Sequence, residues 1–306
     1  MGKLIRAAGL LALLVFLSPW SWASEPYRIG FAQDTLGNDW RLAQVREVEQ
    51  ELDKYPQVEF IVTDAEGETS LQAQHIEELV ARGVDVLMTS PRDQVVLSSV
   101  IEKVHQQGIP VILLSRAIAG DGYTSLVTSD NRAIARSAAE HLVQELEGQG
   151  HILMLEGVEG ASTTEERSEG FMQTLQNHPD IRVTRRTANF LRADAILAVS
   201  GLLTEGVKPD AIYAQSDSMA TGARMALQQA GIDPASLPLV GIDFISEARD
   251  AIRAGEQSAS FTYQTGGKEG ARLAMQLLKG EEVPRKLVLD SVKVTSENVD
   301  QVEPIF

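Results

Sequence analysis

From Tyr27 to Ile242 the chain alternates short runs of branched and aromatic apolar residues with longer amphipathic stretches, and that alternation leaves few folds open to it. A short run that is apolar throughout reads as a strand buried on both faces of a parallel sheet, and the amphipathic stretch after it as the crossover helix. Strands are predicted at Tyr27–Ala32, Val58–Thr63, Val86–Thr89, Val111–Leu114, His151–Leu155, Ile181–Arg186, Ala211–Ala214 and Leu239–Ile242. Predicted helices include Leu71–Arg82, closed by Gly83, and Val95–Gln107, closed by Gly108 with Pro110 beyond. Glycine takes the left-handed turn that ends a helix, and proline cannot continue one.

The rhythm breaks once, between Ser115 and Ser129, where a turn at Ala119-Gly120-Asp121-Gly122 leads into a short apolar run. A second series of βα units starts there, so the break is read as a first crossing between two lobes. Near the end, a strand at Ser258–Tyr263, a helix at Lys268–Lys279 and two short extended runs around Asp290 are too few for a third domain. The chain is therefore expected to return to its first lobe.

At roughly 100–200 residues per domain, 306 residues suit two domains and a targeting segment. Lys3 and Arg6 precede an uncharged run from Ala7 to Ser18, and small residues follow to Ser21-Trp22-Ala23. This is the layout of a secretory signal cleaved after Ala23, its apolar core falling well short of the ~20 residues that cross a bilayer. Residues 1–23 are accordingly expected to be removed on export to the periplasm. No cysteine is present, which excludes disulfides, thiolate metal sites and a lipid-modified cysteine. The net charge of −16, from 43 acidic and 27 basic side chains, argues against nucleic acid as a partner.

Ligands of parallel α/β sheets bind beyond the carboxyl ends of the strands. Thr35 to Arg41 follow the first predicted strand and Ser115-Arg116 the fourth. The second series contributes Gly157 to Arg167, Asn189-Phe190, Gln215-Ser216-Asp217 and Asp243-Phe244. Arginines and an aspartate supply fixed donors and acceptors for vicinal hydroxyls, and Trp40 and Phe190 supply flat faces for a sugar ring. Five histidines, His75, His105, His141, His151 and His178, show no metal-ligand spacing. A nucleophile elbow, a phosphate loop and a dinucleotide fingerprint are all absent from the sequence, so no catalytic residue, metal or cofactor is expected.

Five motifs in order, Thr35-Leu36-Gly37-Asn38-Asp39-Trp40, Gly157 to Phe171, Ala188-Asn189-Phe190, Ala214 to Met219 and Gly241-Ile242-Asp243, resemble the ribose-binding branch of the type I periplasmic sugar-binding proteins. Trp40-Arg41 is more similar to the galactofuranose-binding members. The resemblance implies two doubly wound parallel-sheet lobes joined by a three-crossing hinge: residues 24–129 with 265–290, and residues 130–264 with 291–306. It also implies closure on a monosaccharide and delivery, as a monomer, to an ABC-type importer. Carried over position by position, it puts Asn38, Trp40, Arg41 and Arg116 on the first-lobe wall. Arg167, Phe190, Ser216, Asp217 and Asp243 fall on the second, with Tyr263 or its neighbour Gln264 near the last crossing.

Two departures stand out. Ser115 replaces the aspartate that the family pairs with Arg116, and Ser216 replaces an asparagine before Asp217. Three arginines facing the cleft would then stand against Asp243, which points to a ligand of anionic character such as a sugar acid or phosphorylated sugar, to a furanose whose geometry needs fewer carboxylate acceptors, or to arginines paired with a carboxylate such as Asp39 or Glu166. The same fold could also serve a sensor that docks on a chemoreceptor or histidine kinase.

Overall fold

The computed structural model describes residues 26–306; the signal segment read at residues 1–23 lies outside them. The first lobe is a parallel sheet in the order β11-β5-β4-β3-β1-β2. Its strands are β1 (Tyr27–Gln33), β2 (Val58–Asp64), β3 (Val86–Thr89), β4 (Val111–Leu114), β5 (Ser125–Ser129) and β11 (Lys286–Leu289). β3 and β4 are buried along their whole length, as strands covered by helices on both faces must be. Helices α1 (Asp39–Leu52), α2 (Thr69–Ala81) and α3 (Ser98–Gln106) cover this sheet together with α9 (Gly267–Leu278). Ala271, Ala274 and Met275 of α9 join Ile29, Phe31, Val48 and Leu114 in one core.

The second lobe places β6 (Gly150–Glu156), β7 (Ile181–Thr187), β8 (Ala211–Ala214) and β9 (Leu239–Val240) in the parallel order β7-β6-β8-β9. Parallel bridges from Val240 to Ala259 and from Asp243 to Thr262 carry the sheet on to β10 (Ser260–Phe261), which pairs antiparallel with β12 (Lys293–Val294). Its helices are α4 (Asn131–Glu145), α5 (Ser162–Leu175), α6 (Arg192–Thr204), α7 (Asp217–Gln229) and α8 (Ser246–Ala254). α4 and α5 pack backbone to backbone at Gly170, where a Cβ would stand 2.5 Å from the Arg132 carbonyl oxygen. The chain passes between the sheets after β5, again between β10 and α9, and finally between β11 and β12. In both sheets the strand order reverses beside the first strand, β1 or β6, which opens a crevice at the carboxyl ends.

Two local differences from the sequence reading have clear causes. The apolar run before Ser129, read as part of the crossing between lobes, is β5, an internal strand of the first sheet, and the chain crosses only after it. α3 starts at Ser98 and not at Val95, because the Asp93 carboxylate accepts from the Val95 and Val96 amides and holds them in a turn.

Candidate ligand-binding site

The first wall is built where β1 runs into α1. Asn38 is the N-cap of α1: its Oδ1 accepts from the Trp40 and Arg41 amides at 2.9 and 3.2 Å. That cap fixes the first helical turn, which carries Trp40 and Arg41 inward, both almost wholly buried. The Arg41 Nη1 donates to Ser90 Oγ at 2.6 Å and to Gln44 Oε1 at 3.2 Å. Beside it lies Asp34, fully buried at the end of β1, with Oδ2 2.7 Å from Arg116 Nη1 and Oδ1 3.1 Å from Arg41 Nε. Burial alone would push the Asp34 carboxyl up, but Arg116 and Arg41 more than offset it and hold the group below the ordinary carboxylate range. Arg116 is pushed down to about 9 by burial and by the Arg41 charge, against the pull of Asp34.

The second wall comes from the carboxyl ends of β6 to β9. Phe190 holds its backbone at φ 60° beside Asn189 at φ 51°, a left-handed pair rare outside glycine, and its ring lies over Gly157. A Cβ at position 157 would fall 1.9 Å from that ring, so the glycine makes room for the aromatic face. Arg167 Nε donates to Asn131 Oδ1 at 3.0 Å and its Nη1 to the Gln215 carbonyl oxygen. Its guanidinium carbon stands 5.8 Å from the Phe190 ring centre and 4.4 Å from that of Tyr263. Asp243 sits at φ 122°; burial pushes its pKa well up, with the Arg167 charge and a hydrogen bond from the Asp217 backbone pulling the other way. Strained backbone at Ser115, Asn189, Phe190 and Asp243, all on one cavity wall or another, is the kind of cost that functional sites retain.

These two walls enclose a cavity of about 280 Å³, at the small end of the roughly 300–1,000 Å³ typical of ligand sites. The structure is closed over it. Asn38 Nδ2 donates across the lobes to the Phe190 carbonyl oxygen at 2.7 Å, the Gln94 amide to the Gly160 carbonyl oxygen at 3.0 Å and the Ala117 amide to Ser162 Oγ at 2.8 Å. Asn38 therefore serves as cap and clasp at once. Asn38→Asp retains the cap acceptor but turns an acceptor toward the Phe190 carbonyl, so ligand dissociation measured by stopped flow is expected to accelerate about fivefold to tenfold, the equivalent of one hydrogen bond. An unchanged rate would show that the clasp contributes nothing to closure.

Asn38, Trp40, Arg41, Arg116, Arg167, Phe190, Ser216, Asp243 and Tyr263 all border this cavity, and Gln264, the other candidate at the last crossing, points to solvent. Ser216 uses its hydroxyl to cap α7, accepting from the Met219 amide. Asp217 does not reach the cavity. Its Oδ2 accepts from the Phe244 amide at 2.7 Å and Ser260 Oγ at 2.6 Å, and its Oδ1 from Gln257 Nε2 at 2.8 Å, so it braces the Asp243–Phe244 turn from behind. The carboxylate that pairs the arginines is Asp34, whereas Asp39 faces Arg192 at 3.9 Å and Glu166 binds Arg132 at 2.9 Å. Asp34 escapes a reading that starts one residue later, at Thr35; an acidic residue closing an apolar strand was the available signal. Arg92 also borders the cavity and follows β3, a strand end that the sequence reading passed over.

Burial pushes the Asp217 pKa up to about 6, against its three hydrogen bonds. A carboxyl with a raised folded pKa stabilises the fold below its ordinary pKa and loses that contribution as pH rises through about 6. The stability of wild type relative to Asp217→Asn is therefore expected to be greater at pH 4 than at pH 7, by on the order of 2 kcal/mol. Urea unfolding of both proteins at the two pH values measures it, and a pH-independent difference would contradict this role.

Two sheets of this topology closing on a cavity lined from both sides define a two-lobed ligand receptor. The chain belongs to the periplasmic binding protein family, whose domain model matches residues 29–282. The ribose import binding protein of Haemophilus influenzae is 30% identical over 288 residues, covering 94% of this chain and 97% of that one. The galactofuranose-binding protein of Escherichia coli is 27% identical over 276 residues, covering 87% and 86%. Among solved structures, the fructose-binding periplasmic domain of a hybrid two-component system superposes with a TM-score of 0.84 at 31% identity, covering 90% and 92%. The expected likeness to ribose- and galactofuranose-binding proteins is thus found.

Proposed function

We propose that this chain is exported to the periplasm, captures one monosaccharide or sugar derivative in the cavity between its lobes, and hands it to an ABC-type importer without transforming it. The observation that carries the reading is the cavity itself. Phe190 and Trp40 offer flat apolar walls, Arg41, Arg116 and Arg167 present donors held in place by protein partners, and the Asp243 carboxylate borders the cavity as an acceptor for a ligand hydroxyl. That combination suits a sugar ring, which has apolar faces and a polar rim. The relatives named for ribose and galactofuranose support it. Among the described residues no helix is long and apolar enough to cross a membrane, and no cluster of potential metal ligands is found.

The lobes, residues 24–129 with 265–290 and 130–264 with 291–306, turn about the three crossings. A ligand touching both walls stabilises the closed form through contacts that only this form makes. Closure is then what the partner reads. A sensory role has one observation in its favour, the likeness to the fructose-binding domain of a two-component system. Stimulation of a reconstituted importer's ATPase by the loaded protein would decide for transport. The binding step itself is tested by a thermal-shift screen of protein unfolded and refolded to strip carried-over ligand. One or two related sugars should raise the melting temperature by several degrees, since a ligand bound only by the folded state must stabilise it; a flat response to pentoses, hexoses, furanose-rich sugars and sugar acids would reject the reading.

A further inference from the structure

Four guanidinium groups border the cavity, and the buried carboxylates facing them are two, Asp34 and Asp243. Asp34 is shared between Arg41 and Arg116. Arg167 is held by neutral acceptors, the Asn131 side-chain oxygen and the Gln215 carbonyl. Arg92 has no ion pair and no side-chain hydrogen bond among the described residues. Its guanidinium lies beside Gly67, with Nη1 3.5 Å from where a Cβ on that glycine would stand. It is close enough for its charge to act on both Asp34 and Arg116. Glu66 and Glu68 stand at the cavity mouth, but they are exposed and neither pairs with Arg92.

The hydrogen-bond inventory is skewed in the same direction as the charge. Guanidinium groups only donate, while a sugar hydroxyl must donate as well as accept. Arg116 Nε is buried with no acceptor, and Ser115 stands where the resemblance leads one to expect a further carboxylate. A wall so rich in donors matches a ligand that brings an acceptor without a proton. A carboxylate is that group, and its planar oxygens fit a guanidinium fork.

We propose that the ligand is a monosaccharide bearing one carboxylate, an aldonic or uronic acid, whose acid group lies against Arg92 and Arg116 while Asp243 and Arg167 take its hydroxyls. This rests on the sugar-binding reading above and narrows it to acidic sugars. Arg92 is then the residue that selects acids over their neutral parents. Because its guanidinium makes no ion pair or side-chain hydrogen bond among the described residues, replacing it breaks no such contact of the unliganded fold.

The test is titration calorimetry of the refolded full chain with galacturonate, glucuronate and gluconate, each beside its neutral parent sugar, and with ribose and fructose. At least one acid should bind about tenfold or more tightly than its parent, the yield of one charge-assisted hydrogen bond. Arg92→Gln should weaken that acid by about tenfold and leave the neutral parent within about twofold, with the melting temperature of the unliganded protein unchanged. A neutral sugar bound as tightly as its acid, or acid binding indifferent to Arg92→Gln, would overturn the acidic-ligand inference and leave the sugar-binding reading standing. Absence of binding by any sugar, neutral or acidic, would overturn both.

Discussion

Asp34→Ala is expected to destabilise the protein by about 3–5 kcal/mol, the usual cost of removing one member of a buried ion pair. The loss would come less from the vanished attraction than from what remains. Arg41 and Arg116, both nearly inaccessible to water, would be left as two like charges around a void, with Arg116 Nε already lacking an acceptor. Urea unfolding followed by tryptophan fluorescence reports the change as a shift in midpoint at constant slope. A second replacement separates this cause from simple loss of packing. Arg116→Met in the Asp34→Ala background removes one stranded charge and should recover a substantial part of the loss, because an apolar residue of similar volume often replaces a buried ion without penalty. A single variant less stable than wild type by under about 1 kcal/mol would mean that water reaches this pair and that the wall is not the rigid element described above.

Arg167→Ala is expected to weaken ligand binding tenfold to a hundredfold, about 1.4–3 kcal/mol, with a smaller effect on stability. Arg167 holds its place through Asn131 and Gln215, stacks near both Phe190 and Tyr263, and stands as the cation facing Asp243. Removing it deletes a donor to the ligand and the charge that draws Asp243 toward ionisation. Affinity by calorimetry at pH 7 measures the first effect. The second should appear as a binding optimum displaced to higher pH in the variant, since an Asp243 no longer opposed by Arg167 ionises later. Affinity within a factor of two of wild type would remove Arg167 from the site.

The two-lobed α/β fold is legible in the sequence because parallel strands buried on both faces must be apolar along their length, and runs such as Val111–Leu114 and Ala211–Ala214 are. β5 was harder to see, since its serines and threonine, Ser125, Thr128 and Ser129, interrupt the apolar run although the strand is buried throughout. The Ser125 and Thr128 hydroxyls donate to the Pro284 and Ser115 carbonyls, which a linear pattern cannot show. The cavity wall was legible wherever a polar or aromatic residue directly follows a predicted strand. Asp217 shows the limit of that rule: it follows β8 and starts α7, yet its carboxylate turns away from the cavity to brace the Asp243 turn. Asp34 shows the converse, a residue just past β1 and ahead of the stretch read as the wall, whose side chain nevertheless emerges among the arginines. Which acid pairs with which arginine depends on side-chain direction, and spacing along the chain does not carry that information.

The location of a bound sugar is the decisive measurement, obtained by crystallising the refolded protein with the ligand that most raises its melting temperature. One monosaccharide is expected between the lobes, in contact with Phe190 and Asp243 on one side and with Arg116 on the other, and with the Asn38 to Phe190 clasp made. A sugar found outside this cavity, or touching one wall while the lobes stand apart, would contradict capture by closure.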